Sequence, residues 1–178
     1  AVGEIYLKDS TGQVDPDAYG LAKWDGTGWS FSRLGALAPQ GYVSNLLPRA
    51  IFAIAPNEIW FAAGGAHRLK NNVLTPFWIN DFSGNPSPIW TSGQLSTRIW
   101  ASTSSDVYVV GTAGAIAHFD GTVWRRIESG TSLTLSDVFG LEGSAHVEAL
   151  VYIVAGDLYS SGSSRIVSIR GTTISDTS

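Results

Sequence analysis

With 178 residues, 44% of them apolar, and a net charge of −4, the chain is long enough for one sizeable core and too poor in basic side chains to present an electrostatic footprint for nucleic acid. It has no cysteine, which excludes a disulfide framework and thiolate metal sites. No apolar run approaches the length of a membrane-spanning helix, and 20 glycines and seven tryptophans beside few helix formers direct the reading to an all-β fold.

The chain opens Ala-Val-Gly-Glu-Ile-Tyr, with neither a starting methionine nor a signal-peptide pattern, and reads as processed or excised. A first strand is predicted around Ile5 and Tyr6, followed by a loop over residues 9–19. Asp9, Asp15 and Asp17 in that loop are oxygen donors of the type calcium prefers, although the EF-hand pattern is missing. They are the one metal candidate, a weak one, and no other cofactor is expected. Next comes a strand ending at Trp24, a turn at Asp25-Gly26 and a strand from Trp29.

The second stretch repeats this grammar. Strands are predicted around Ile51, around Ile59-Trp60 and at residues 66–70, closing at Trp78, with an irregular segment over residues 80–90 behind them. A third stretch has strands around Ile99 and at residues 106–111, then residues 115–119, the turn Asp120-Gly121 and a strand from Trp124. The fourth places strands around Val138, at Asp157-Leu158-Tyr159 and at residues 165–169, with a looser turn at Arg170-Gly171. Glu4, Glu58, Asp106 and Asp157 each precede an apolar pair, at intervals of 54, 48 and 51 residues. Four strands per unit of 40 to 50 residues is the period of a β-propeller blade.

Residues 104–140, SSDVYVVGTAGAIAHFDGTVWRRIESGTSLTLSDVFG, resemble a family of secreted bacterial propeller repeats, and residues 20–35, GLAKWDGTGWSFSRLG, are similar to related blades of bacterial surface proteins. The resemblance implies a propeller and an extracytoplasmic setting, either secreted, at the cell surface or periplasmic. It implies no defined activity. The expected fold is therefore all-β, a β-propeller segment of about four four-stranded blades near residues 1–46, 47–95, 96–133 and 134–178, forming part of a larger or multi-chain propeller.

Chemistry-bearing residues are sparse. No two histidines have metal-motif spacing, no G-x-S-x-G elbow is present, and the glycine-rich loops at residues 64–68 and 111–115 lead into strands rather than into a helix that could bind phosphate. Trp29, Trp78 and Trp124 recur in phase and read as inter-blade core, whereas Trp90 stands outside the repeat and is the aromatic expected to stack on a ligand. Tyr19, Asn80, Asp81, His67, Arg68 and Trp90, on loops and strand starts, are the expected partner-binding residues. The function these features suggest is a non-catalytic module for protein–protein interaction or assembly, whose partner is another protein or further propeller blades. A lectin-like glycan-binding propeller is the alternative and a glycan-active enzyme a more distant one.

Overall fold

A computed structural model describes residues 1–38, 41–79, 89–91, 93–141, 149–156 and 164–177. Among these the chain is all-β, with no helix, and builds several small antiparallel sheets in which sequence neighbours pair. β1 (Val2–Ile5), β2 (Tyr19–Trp24) and β3 (Trp29–Ser32) form a three-stranded sheet, and β4 (Leu34–Leu37) with β5 (Val43–Leu46) forms a separate hairpin. Three four-stranded meanders follow. The first is β6 (Ala50–Ala55), β7 (Glu58–Ala62), β8 (Ala66–Lys70) and β9 (Val73–Phe77). The second is β10 (Ser96–Thr103), β11 (Asp106–Gly111), β12 (Ala115–Phe119) and β13 (Trp124–Glu128), and the third β14 (Leu135–Leu141), β15 (Leu150–Gly156), β16 (Ser164–Arg170) and β17 (Thr173–Thr177). No closed or propeller arrangement of these sheets is seen among the described residues.

The sheets lie face to face in chain order, and the period of two along each strand decides which neighbour a side chain meets. On β7, Trp60 and Ala62 enter a core shared with β10–β13, while Phe61 enters a core shared with the β4–β5 hairpin. On β11, Val107 and Val109 face back towards β6–β9, while Tyr108 and Val110 face forward to β14–β17. The β10–β13 sheet is thus apolar on both sides, and β12 is buried along its whole length.

Three expectations change. The second strand of the last meander is Leu150–Gly156, not the stretch around Asp157, whose structure lies outside the described residues. Val151, Ile153 and Ala155 alternate inward along it, so its apolar pattern outweighs the acidic residue used to place it. Glu4 does not correspond to Glu58 and Asp106 either: those two begin β7 and β11, while Glu4 lies within β1. Lastly, the aspartates of the Asp-Gly turns flank the bend. Gly26 and Gly121 take φ of 105° and 92°, and the Asp25 and Asp120 carboxylates accept the N–H groups of Thr27 with Gly28 and of Thr122 with Val123. Positive φ at both central residues occurs instead at Asn71-Asn72, 50° and 64°, and at Ala113-Gly114, 53° and 68°.

Candidate interaction faces

The residues expected to bind a partner do not converge on one site. Asn80 and Asp81 lie outside the described residues. Trp90 is 1% exposed, set among Ile99, Val109 and Ala115, with its ring over Gly111, where a Cβ would come within 3.1 Å of it. It fills the core and offers no face to a sugar. His67 is equally enclosed: Nε2–H donates to the Ala63 carbonyl at 3.0 Å, the ring sits edge-on to Trp78, and burial pulls its pKa down to about 4. Arg68 lies with its guanidinium 5.6 Å from the Trp60 ring centroid.

The loop before β2 is self-contained. Asp9 accepts the Thr11 hydroxyl and the N–H groups of Thr11 and Gln13, hydrogen bonds that hold its carboxyl below the usual range. Asp15 accepts the Asp17 N–H, the Arg33 guanidinium and the Tyr19 hydroxyl, and is lowered in the same way. Tyr19 carries Arg33 above its ring at 4.1 Å. The calcium expectation does not fit this geometry. No three acidic or histidine side chains gather among the described residues, and in this loop the Asp9 and Asp15 carboxylates are committed to their own turns and to Arg33.

Acid–base pairs elsewhere are also structural in form. At the start of β7, burial raises Glu58, but Lys70 at 2.6 Å, Ser104 and the charge of Arg68 outweigh it and the carboxyl is lowered. At the equivalent place on β11, burial likewise raises Asp106, and the His118 imidazole at 2.7 Å with the Ser102 hydroxyl reverses it. Asp106 lies between Ser102 and His118 and accepts a hydrogen bond from each, so it is the carboxylate, not the imidazole, that meets the serine hydroxyl. A cleft of about 810 Å³ opens between the β2–β3 hairpin and β7–β8, with Ile59 and Leu69 on one wall and Lys23, Trp29 and Asn72 at its mouth. None of its lining residues is acidic or a histidine.

The apolar surface stands out instead. Strand pairing aligns four positions on the forward face of each meander: Phe52 opposite Trp60 and Ala62 opposite Ala66, then Trp100 opposite Tyr108 and Val110 opposite Ile116, then Phe139 opposite Tyr152 and Val154 opposite Ile166. Trp60, Ala62 and Ala66 are fully buried by the next sheet, and Trp100, Tyr108, Val110 and Ile116 are at most 4% exposed. Phe139, Tyr152, Val154 and Ile166 are 60%, 41%, 45% and 51% exposed. These four side chains form a continuous exposed apolar row on one sheet. The sequence carries its signal in the aligned aromatics Phe52, Trp100 and Phe139, but placing the repeat on Asp157 sets Tyr159 rather than Tyr152 in phase with Tyr108.

A second bare feature lies at the other end. Each hairpin joining the third and fourth strands of a meander closes on a bulky pair that faces back: Leu69–Leu74, Phe119–Trp124 and Ile169–Ile174. The corresponding pair on β2–β3 is Trp24–Trp29, with ring centroids 5.4 Å apart and exposures of 51% and 56%. No protein-family model and no curated protein matches the chain.

Proposed function

We propose that this chain is a non-catalytic interaction or assembly module, its sheets acting as propeller-type blades near residues 1–46, 47–95, 96–133 and 134–178, in an extracytoplasmic setting. The observation that carries this reading is the in-phase recurrence of one forward face, buried twice by the next sheet and bare the third time. The extracytoplasmic setting rests on the resemblance of residues 104–140 to secreted propeller repeats. The non-catalytic part is supported by the structural engagement of Asp9 in its own turn, of Asp15 with Arg33 and of Asp106 with Ser102 and His118. A glycan-binding reading is favoured by one feature only, the cleft with Trp29 and Asn72 at its mouth.

Incubating the purified chain with a panel of oligosaccharides, while following both sugar release and tryptophan fluorescence, tests the proposal. The expected result is no turnover and no saccharide-dependent quenching. Sugar release that disappears in Asp106→Asn would overturn the non-catalytic reading. Quenching that disappears in Trp29→Ala would move the function to glycan binding.

A further inference from the structure

We infer that the bare forward face of β14–β17 and the bare Trp24–Trp29 hairpin are the two halves of one interface, through which copies of this chain stack head to tail. The inference deepens the assembly reading above by naming the partner and the surface. Twice within the chain an aromatic on the second strand of a meander meets the closing pair of the next sheet. Trp60 lies against Phe119 and Trp124, with ring centroids at 5.8 and 6.1 Å. Tyr108 faces the Ile169–Ile174 hairpin in the shared core, and its hydroxyl donates to the carbonyl of Gly171 in that hairpin's turn at 2.9 Å.

Tyr152 holds the third such position and has no closing pair before it among the described residues. Trp24–Trp29 is the one closing pair that joins no core: Leu69–Leu74, which likewise has no aromatic before it, packs with Leu21 and Leu34, whereas Trp24 and Trp29 are 51% and 56% exposed. Alternation along β2 puts Trp24 on the face opposite Leu21, which is the side that points back, as Phe119 and Ile169 do, while the edges of Trp24 and Trp29 also reach the cleft in front of Ile59 and Leu69. Seating the hairpin of one copy on Tyr152 of another repeats the Trp60 and Tyr108 contacts, with the Asp25–Gly28 turn in the place of the turn that Tyr108 bonds. Phe139, Val154 and Ile166 extend the contact; none of the four is charged, and the exposed Arg170 lies at the turn end of the same face. Because the two halves differ, the contact is heterologous and generates a ring or a filament.

The test uses the intact chain in sedimentation velocity, with Ile166→Glu on the forward face and Trp29→Glu on the hairpin. Both sites are more than half exposed, so each variant is expected to keep the wild-type circular dichroism and thermal midpoint. Wild type is expected to self-associate in the micromolar range, and each variant to associate roughly 30-fold or more weakly. A mixture of the two variants is expected to form a heterodimer, since each retains the half the other lacks. A wild type that stays monomeric, a variant that associates as wild type does, or a mixture that stays monomeric would each overturn the stacking. A monomeric wild type leaves the non-catalytic reading standing, because that reading fails on sugar release, which this experiment does not measure.

Discussion

The β10–β13 and β14–β17 sheets share a strand order and an apolar pattern, yet only the first is buried on both faces. Trp100, Tyr108, Val110 and Ile116 on the one correspond to Phe139, Tyr152, Val154 and Ile166 on the other, and both sets are large and apolar. What separates them is the neighbour. A strand that alternates inward and outward apolar residues is written for two partners, and its exposure reports how many it has.

The sharpest way to break this comparison is to truncate the same position in a covered sheet and in the bare one. Trp60→Ala removes a fully buried ring stacked on Phe77 at 5.5 Å and is expected to cost about 3–5 kcal/mol in urea unfolding. Tyr152→Ala, in the corresponding place, is expected to cost less than about 1 kcal/mol, because much of its side chain already meets water. Equal losses would mean that the face bearing Tyr152 is covered as fully as the face bearing Trp60.

His67 measures how dry a covered face is. Its folded pKa of about 4 lies below the ordinary 6.5, so the unfolded chain binds the proton more readily. Above pH 6.5 both states are neutral and the histidine contributes no pH dependence. As pH falls from 6.5 to 4, stability is expected to drop by about 3 kcal/mol, with no further loss from this group below that. His67→Gln is expected to flatten that limb, and a variant that kept the full slope would place the titration elsewhere.

A smaller effect tests how closely the covered faces approach. A Cβ at Gly140 would fall 2.4 Å from the Trp100 ring, so Gly140→Ala is expected to cost about 1–3 kcal/mol and to perturb tryptophan fluorescence. Unchanged stability and emission would show that this contact yields. The least effect is expected at the hairpin turns. Hydrogen bonds from backbone N–H groups hold the Asp25 and Asp120 carboxyls at about 2, so their contribution is present above pH 4 and is lost as pH falls towards 2. Asp120→Asn is expected to remove only that shallow acid limb, which a thermal melt series at low pH can resolve.

The β10–β13 sheet was fully legible from sequence, because its strands alternate clearly, its loops are short, and Asp120-Gly121 marks the turn. The β4–β5 hairpin was not: Leu34-Gly-Ala-Leu has little intrinsic strand preference and is held by a tertiary contact, with Leu34, Ala36 and Leu46 lying against Phe61 and Ala63. Trp90 misled for a related reason. It lies in an irregular segment, where periodicity gives no face, and only the space left by Gly111 shows that the ring turns inward. The forward-face residues are readable as strand residues, but no local pattern tells Tyr152 from Tyr108, since burial there depends on another sheet.

The meander topology also bears on how the molecule is made. Every hydrogen-bonded strand pair in the sheets joins sequence neighbours, so β6–β9 can close its own ladder before β14 leaves the ribosome, and folding can advance one sheet at a time with little loop entropy to overcome. Folding in that order would leave each newly finished sheet with an uncovered apolar surface at the growing end, as with Trp60 before β10–β13 is in place. Among the described residues, Phe139 and Tyr152 remain in that uncovered condition.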